Sequence, residues 1–342
     1  MGEYARSVAI ARAASERWPA AEIRFMLSAK APYAAATAFR AILLPSSPTF
    51  HSAEVIEQLQ QFKPHVVIFD NAGRTAQLRA AQRMASRIVY ISARARQRGK
   101  AFRWSWMRLI DEHWIAYPRF IAGGLSPLER LKLRLLRRPT VRYLDVIVSR
   151  AAPGAAAPAA LESQADGTAA ESYVLLVPGG GTGHPGARDA VAQFLSAARI
   201  LAISGVETLF VGPAVDQGSA GTPVEGLRCL APLPQPQLMT LMRHARLVIA
   251  NGGSTLLQGI ACGCACIAVP IAGDQKQRID ACVAADVARS SSLRAADIVA
   301  SAQTLLGDET QRAALARRAA QLGLSDGVAI AMTALAGLLR TG

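Results

Sequence analysis

The chain has 342 residues, of which 51% are hydrophobic and 18% are charged. This composition excludes an intrinsically disordered protein, and the length favours two domains, because single cores rarely grow past about 250 to 300 residues. The longest apolar stretches, such as residues 328–339, are much shorter than the roughly 20 residues that a membrane-spanning helix needs. The N-terminus does not resemble a secretory signal. We therefore expect a cytoplasmic α/β protein without a transmembrane helix.

The formal net charge is +14, and most of it comes from the segment between Arg94 and Arg142. This segment contains 13 Lys or Arg residues and three Asp or Glu residues, with Trp104 and Trp106 among the cations. Cations interleaved with aromatic residues are typical of surfaces that meet anionic lipid headgroups, which would place the protein peripherally at the inner face of the membrane. A solvated basic face is the alternative. Nucleic acid is not expected as a partner, because no recognition motif for it is present.

Five cysteines are an odd number, which favours reduced thiols over a disulfide framework. Three of them, Cys262, Cys264 and Cys266, form a C-x-C-x-C run without a flanking His. Because the run lies in an apolar passage from helix to strand, we predict small buried side chains rather than zinc ligands. The sequence indicates no metal site and no cofactor.

Residues 151–172 are low in complexity and rich in Ala, Pro and Gly, which is typical of a linker. They separate a predicted N-terminal domain, residues 1–150, from a predicted C-terminal domain, residues 173–342. Strand and helix signals alternate in both domains. This alternation predicts two Rossmann-like, doubly wound parallel sheets facing a cleft, with ligands at the carboxyl ends of the strands.

The N-terminal domain begins with a helical pattern at residues 4–17, which no strand signal precedes. A strand signal at 22–27, a helix at 53–61 and strands at 65–69 and 88–91 follow. The continuous apolar run of the strand at 65–69 predicts burial on both faces. Since a doubly wound domain normally opens with a central strand, we hypothesise that the first strand of this domain is missing.

The C-terminal domain opens with a strand at 173–177, a Gly-rich loop and a helix running to about residue 202. Strand and helix signals then alternate at 208–211, 237–243, 247–250, 256–261 and 266–269. This spacing is typical of a parallel doubly wound sheet.

The most informative segment follows the strand that ends at Ala250. Gly252 and Gly253 allow close approach of a ligand to the backbone, and Ser254 and Thr255 can cap the helix that begins there. The exposed N–H groups and the positive dipole end of that helix suit a diphosphate.

Three further polar residues accompany this helix start. Gln258 lies one turn into the helix, and Asp274 and Gln275 occupy the loop after the next strand. The last two side chains would lie beside the same strand edge and could bind sugar hydroxyls. The loop at residues 232–237 also follows a strand end, so we expect its Leu233 to line the pocket of the nucleotide base.

The segment from Asn251 to Gln275 resembles the donor-binding signature of the GT-B glycosyltransferases, especially the bacterial enzyme that glycosylates the lipid-linked peptidoglycan precursor. It is also similar to the nucleotide-sugar hydrolase of pseudaminic acid biosynthesis. The resemblance implies that a diphosphate and a donor sugar contact one set of residues: Asn251, Gly252, Gly253, Ser254, Thr255, Asp274 and Gln275. It further implies that the loop after the first strand of the C-terminal domain approaches the phosphates, with residues Gly180, Gly181, Thr182, Gly183 and His184.

The chain departs from the family pattern at two positions. Gln258 replaces a Glu that grips the ribose hydroxyls, and a neutral hydrogen bond in place of an ionic one would weaken donor affinity about tenfold. Glu3 follows Gly2 where relatives often have a Gly-His pair. Because the related hydrolase depends on that His, its replacement argues against hydrolysis.

An inverting transfer needs a base that takes the proton of the acceptor hydroxyl. Asp70, at the carboxyl end of the strand at 65–69, is one candidate, although it could equally cap the following loop. Glu3 is the second candidate, as an acid or a base. His184 could neutralise phosphate or stabilise its own loop, and we expect His113 to be structural.

The leading hypothesis is therefore an inverting glycosyltransferase. We expect it to be metal-independent, since the sequence has no Asp-x-Asp motif. It would move a hexosyl or N-acetylhexosaminyl group from a UDP-like donor to an acceptor held by the first domain. The basic segment suggests a lipid-linked acceptor. A nucleotide-sugar hydrolase or epimerase of the same fold and a non-catalytic nucleotide-sugar binder are the alternatives.

Overall fold

The structure is a computed structural model that describes residues 2–31, 33–34, 37–148, 173–179, 187–213 and 223–340. The predicted linker and the predicted phosphate-loop residues 180–184 lie outside these ranges, so both predictions stay untested. The chain divides into two compact units. Residues Met1–Ile147 and Ser325–Gly342 form the first unit, and Val148–Leu324 form the second.

The first unit alternates helices and strands. Its helices are α1 (Gly2–Arg17), α2 (Ser52–Phe62), α3 (Thr75–Arg83), α4 (Ala95–Ala101), α5 (Trp104–Met107), α6 (Arg119–Ala122), α7 (Pro127–Leu136) and α14 (Gly327–Arg340). Its strands are β1 (Arg24–Ser28), β2 (Arg40–Leu44), β3 (Val66–Asp70), β4 (Arg87–Ser92), β5 (Glu112–Ile115) and β6 (Thr140–Tyr143). All strand pairs are parallel, in one sheet of order β1-β2 and another of order β3-β4-β5-β6.

Strand β4 shows how the first unit is packed. Ile88 and Tyr90 enter one apolar cluster with helices α2 and α3, whereas Val89 and Ile91 enter another with α1 and α14. All four side chains are almost completely buried. Successive residues of a strand point to opposite faces, so this sheet carries helices on both sides.

Strand β3 differs from the sequence prediction. Its apolar run suggested burial on both faces, but Ile68 is 37% exposed and most of the strand is only half-buried. The reason is its place at the edge of the four-stranded sheet, which an apolar run alone does not reveal. As the sequence suggested, a helix, α1, is the first described element of this unit. The strands β1 and β3 that follow it lie in different sheets.

The C-terminal helix corrects the predicted domain boundary. We assigned residues 173–342 to one domain, yet α14 packs on the first unit, with Val328, Ala331 and Leu335 beside α1. Gly327 N donates a hydrogen bond of 2.8 Å to Val146 O, and a Cβ at Gly327 would lie 1.9 Å from a backbone oxygen. The apolar face of α14 is therefore buried against elements that lie far earlier in the chain, α1 above all.

The described strands of the second unit form one parallel sheet of order β12-β11-β10-β7-β8-β9. Its strands are β7 (Tyr173–Val177), β8 (Thr208–Val211), β9 (Leu227–Leu230), β10 (Ala245–Asn251), β11 (Cys266–Val269) and β12 (Arg289–Ser290). Its helices are α8 (Ala187–Ile203), α9 (Gln235–His244), α10 (Ser254–Ala261), α11 (Lys276–Ala284), α12 (Ala295–Gly307) and α13 (Glu309–Gln321). The doubly wound α/β prediction is confirmed here. No helix among the described residues is long and apolar enough to cross a membrane.

Candidate nucleotide-sugar site

The candidate site lies where the strand order of the second unit reverses. Strands β8 and β9 extend the sheet on one side of β7, and β11 and β12 extend it beyond β10 on the other. Ligands of open α/β sheets bind at the carboxyl ends of the strands at such a switch point. The turn after β10 contains Gly252 and Gly253, the two glycines that the sequence analysis assigned to the donor site.

Asn251 ties these two strand ends together. Its Nδ2 donates a hydrogen bond of 2.6 Å to Pro178 O after β7, and its Oδ1 accepts one of 2.7 Å from Gly253 N. Added Cβ atoms at Gly179 and Gly253 would lie 1.9 Å and 2.5 Å from the Asn251 side chain. Asn251 is buried, so its amide holds the turn rather than facing solvent.

Gly252 is required by close packing. A Cβ at this position would lie 2.6 Å from two atoms of Ile279 and 3.0 Å from Gln275 Cβ. Both neighbours are buried. Gly252, the first glycine of the predicted pair, is therefore fixed by packing against the residues that follow β11.

Helix α10 begins directly after this turn, with Gly253 as its N-cap. We predicted that Ser254 and Thr255 would cap the helix, but they are its first two residues, and no side chain caps its N-terminus. Ser254 is exposed and Thr255 is half-exposed, whereas Gln258 is buried. The first N–H groups of α10 thus lie at an exposed, positively polarised helix end.

In the loop after β11, the two residues that were predicted to bind sugar differ in exposure and in their contacts. Asp274 is exposed, with its Oδ2 3.7 Å from Arg278 Nη2. Gln275 is buried, and its Oε1 accepts a hydrogen bond of 3.0 Å from Ile271 N. Asp274 can meet a ligand in this arrangement, whereas Gln275 stabilises the loop.

A cavity of about 660 Å³ opens beside this loop. It is lined by Pro270, Ile271, Ala272, Gly273, Lys276, Ile279, Asp280, Ser290, Ser291 and Ser292. Its size is in the range of small-molecule pockets, and its serine hydroxyls and the Lys276–Asp280 ion pair are polar groups of the kind that orient ligands. Leu233 lies in the loop between β9 and α9 and is half-exposed, after a strand end as predicted.

Arg278 is a residue that the sequence analysis missed. It lies in α11, is buried, and donates a hydrogen bond from Nη1 to Gly252 O. Its spacing of four residues from Asp274 puts the two on one side of a helical turn, a signal that was available in the sequence.

The two predicted bases lie together in the first unit. Arg6 donates to both carboxylate oxygens of Asp70, and Ser7 Oγ donates to Oδ2 at 3.0 Å. Burial raises the pKa of Asp70, and Arg6 and Ser7 oppose this shift. The Asp70 carboxylate therefore contacts α1 rather than capping the following loop.

Glu3 is the more accessible of the two carboxylates. It lies on the exposed start of α1, and its Oε1 accepts a hydrogen bond of 2.6 Å from Asn71 Nδ2. Asn71 Oδ1 in turn accepts one of 2.7 Å from Ala93 N. Glu3 is thus held at the carboxyl ends of β3 and β4.

His113 is structural, as predicted. It is buried on β5, and its Nε2 lies 2.8 Å from Ser92 Oγ. Burial lowers the pKa of His113 to about 3, so the ring is neutral near pH 7.

The cysteine run is also mostly buried. Cys264 and Cys266 are buried and Cys262 is half-exposed, and burial raises the pKa of Cys266. Among the described residues, no group of three or more His, Cys, Asp or Glu side chains is close enough to hold a metal ion.

No protein-family model and no curated protein matches the sequence. Solved structures match almost the whole chain. MurG from Acinetobacter baumannii is 13% identical, with 94% of this chain and 92% of that chain covered and a TM-score of 0.59. UGT2 from Phytolacca americana, solved with UDP-2-fluoro-glucose and pterostilbene, is 14% identical, with 98% and 97% covered and a TM-score of 0.65.

The chain has the GT-B fold. The same likeness extends to a proposed UDP-N-acetylglucosamine 2-epimerase from Listeria monocytogenes, at 14% identity, 98% and 92% coverage and a TM-score of 0.59. The resemblance noted from the segment between Asn251 and Gln275 is therefore confirmed in the fold. In this GT-B chain, Asn251 and the two glycines hold the turn, and the start of α10 offers the groups that can meet an anion.

Proposed function

We propose that this protein is a glycosyltransferase that moves a sugar from a UDP-linked donor to an acceptor held by the first unit. The observation that carries the proposal is the exposed N-terminus of α10 at the switch point of the sheet. Its N–H groups and dipole favour a diphosphate, and the packed turn before it leaves no room for side chains. The GT-B fold supports it, since UGT2 was solved with a UDP-sugar analogue.

The donor sugar, hexosyl or N-acetylhexosaminyl, would lie toward Asp274. This carboxylate is exposed and could accept hydrogen bonds from sugar hydroxyls. Gln258 would form a neutral hydrogen bond with the ribose. We therefore expect a donor affinity about tenfold weaker than that of a site with Glu.

A panel of UDP-, GDP-, CMP- and dTDP-sugars tests the donor class. Binding to the folded state raises thermal stability by mass action, by about 2.7 kcal/mol at 100 times the Kd. We expect the largest rise in melting temperature with UDP-sugars. Equal and negligible shifts with all four donors would contradict the proposal.

We further propose an inverting reaction in which Glu3 takes the proton of the acceptor hydroxyl. Asp70 is less suited, because Arg6 and Ser7 already bind its carboxylate. Glu3→Gln should abolish transfer at unchanged stability, whereas Asp70→Asn should mainly lower stability. Full activity of Glu3→Gln would refute this assignment. The leaving diphosphate would be stabilised by the helix end without a metal, so EDTA should leave the rate unchanged.

We also propose that the first unit docks on anionic lipid, which fits a lipid-linked acceptor. Helix α7 has no buried residue, and Leu128, Leu131 and Leu135 are 51–63% exposed. Their spacing of three and four residues places them on one face. The three acidic residues of the basic segment each pair with an arginine, so ten of its 13 cations remain in excess.

Cosedimentation with phosphatidylglycerol and phosphatidylcholine vesicles tests this docking. We expect binding to the anionic vesicles only, and Leu131→Gln/Leu135→Gln should weaken it at least tenfold, since each buried Leu contributes about 1.5 to 3 kcal/mol. Ile203→Gln is the matched control, because Ile203 is an exposed apolar residue of α8. Equal binding of the double variant and the parent would rule the surface out.

A UDP-sugar epimerase is the second candidate, favoured by the match to the Listeria structure. The two functions differ in their need for an acceptor. Incubation with UDP-N-acetylglucosamine alone should give neither an epimer nor free UDP if the protein is a transferase. Rapid turnover without an acceptor would favour the epimerase or a hydrolase.

A further inference from the structure

The peptide that joins Gly252 to Gly253 is held at both of its polar groups. Its N–H, on Gly253, donates to Asn251 Oδ1 at 2.7 Å. Its carbonyl oxygen, on Gly252, accepts a hydrogen bond from Arg278 Nη1. This peptide comes directly before the first residue of α10, so its plane determines the direction in which the helix starts.

Arg278 brings a positive charge to this peptide from inside the unit. Its side chain is only 9% exposed, whereas Asp274, whose Oδ2 lies 3.7 Å away, is 59% exposed. Water screens an exposed charge much more strongly than a buried one. The field of the guanidinium at the start of α10 is therefore screened less than that of its acidic neighbour.

The contact with Gly252 has a second consequence for an anion. A carbonyl oxygen directed at the end of α10 would repel a phosphate oxygen, because both carry negative charge. Arg278 holds the Gly252 oxygen toward α11, and the close packing of Gly252 on Ile279 keeps the turn there.

We propose that Arg278 is a positioning residue for the diphosphate of the donor. It fixes the Gly252–Gly253 peptide so that the N–H groups of Ser254 and Thr255 meet the phosphates, and it adds positive potential at that place. This inference rests on the proposed function. It concerns the phosphates alone, so the nucleoside part of the ligand should bind independently of Arg278.

Calorimetric titration of the full chain with UDP and with uridine tests this role. Arg278→Gln removes the charge, and its amide ends two bonds short of the position of Nη1, so the contact with the Gly252 oxygen is lost as well. We expect an affinity for UDP about tenfold lower with an unchanged affinity for uridine. Arg278→Lys restores the charge without the planar fork, so it should recover part of the UDP affinity. Arg318→Gln, an exposed arginine of α13, is the matched control and should change neither affinity.

The outcomes separate the inference from the proposed function. Equal losses of UDP and uridine affinity in Arg278→Gln would indicate general distortion and overturn the positioning role, as would no loss of either. If Arg278→Gln does not fold, Arg278→Lys decides: a lower UDP affinity at unchanged uridine affinity supports the role, and parallel changes or none refute it. A parent chain that binds neither ligand would contradict the proposed function itself.

Discussion

Gly252→Ala is the sharpest single test of the turn before α10. The new Cβ would lie 2.6 Å from Cγ1 and Cδ1 of Ile279 and 3.0 Å from Gln275 Cβ. Ile279 is buried and the Gln275 Cβ is fixed to the backbone, so neither can move away freely. Overpacking of this kind costs about 1 to 3 kcal/mol. In a unit of this size that cost lowers the melting temperature by about 2 to 12 °C.

Thermal unfolding of four variants measures this cost. Gly252→Ala should be destabilised in the parent but much less so in an Ile279→Ala background, which removes both clashing atoms, giving an interaction energy of about 1 to 2 kcal/mol. Gly307→Ala is the matched control: nothing lies within 4 Å of its Cβ position at the end of α12, so it should be neutral or stabilising. A melting temperature of Gly252→Ala equal to that of the parent would refute the packing argument. So would an equal destabilisation by Gly252→Ala in the parent and in the Ile279→Ala background.

Three further predictions concern buried polar contacts. Arg6→Met leaves the Asp70 carboxylate buried without its cation, so urea denaturation should show a loss of about 3 to 5 kcal/mol, most of which Arg6→Met/Asp70→Leu recovers; a larger loss in the double variant would contradict this. Asn251→Ala removes the bonds to Pro178 O and Gly253 N and should cost about 2 to 4 kcal/mol by the same assay, with Asn251→Asp intermediate. Because burial lowers the pKa of His113 from 6.5 to about 3, its contribution to stability is complete above pH 6.5 and is lost toward pH 3. Between pH 5.5 and 4 the parent should lose about 1.4 kcal/mol per pH unit more than His113→Gln, and parallel pH profiles would exclude this.

The strands of the second unit could be predicted because they are short apolar runs bounded by turn residues. Strand signals at 173–177, 208–211 and 266–269 coincide with β7, β8 and β11. By contrast, β12 has only two residues, Arg289 and Ser290, and its pairing with β11 comes from the fold rather than from its own composition.

The place of α14 could not be predicted from the sequence. Its apolar residues recur at helical spacing, which indicates an amphipathic helix but not the surface that the helix covers. Its partners are α1, at the other end of the chain, and the backbone of Leu144 and Val146, which also lie far earlier in the sequence. A local pattern carries no information about such a partner.

The candidate site was predicted in position but only partly in its contacts. The glycine turn and the start of α10 were found because their residue types are tied to backbone geometry. The hydrogen bonds of Gln275 to Ile271 N and of Arg278 to Gly252 O were not predicted, since a residue type alone does not reveal which backbone group its side chain reaches. The pairing of Asp70 with Arg6 joins residues 64 positions apart, and no sequence spacing predicts it.

The central claim is that a donor diphosphate binds at the start of α10. Amide hydrogen exchange of the full chain, with and without saturating UDP, measures this directly, because ligand contacts slow the exchange of the N–H groups that they bind. We predict protection concentrated at Ser254 and Thr255, with no change in α14. Absence of protection at these two residues under saturating UDP, or protection confined to other parts of the chain, would contradict the account.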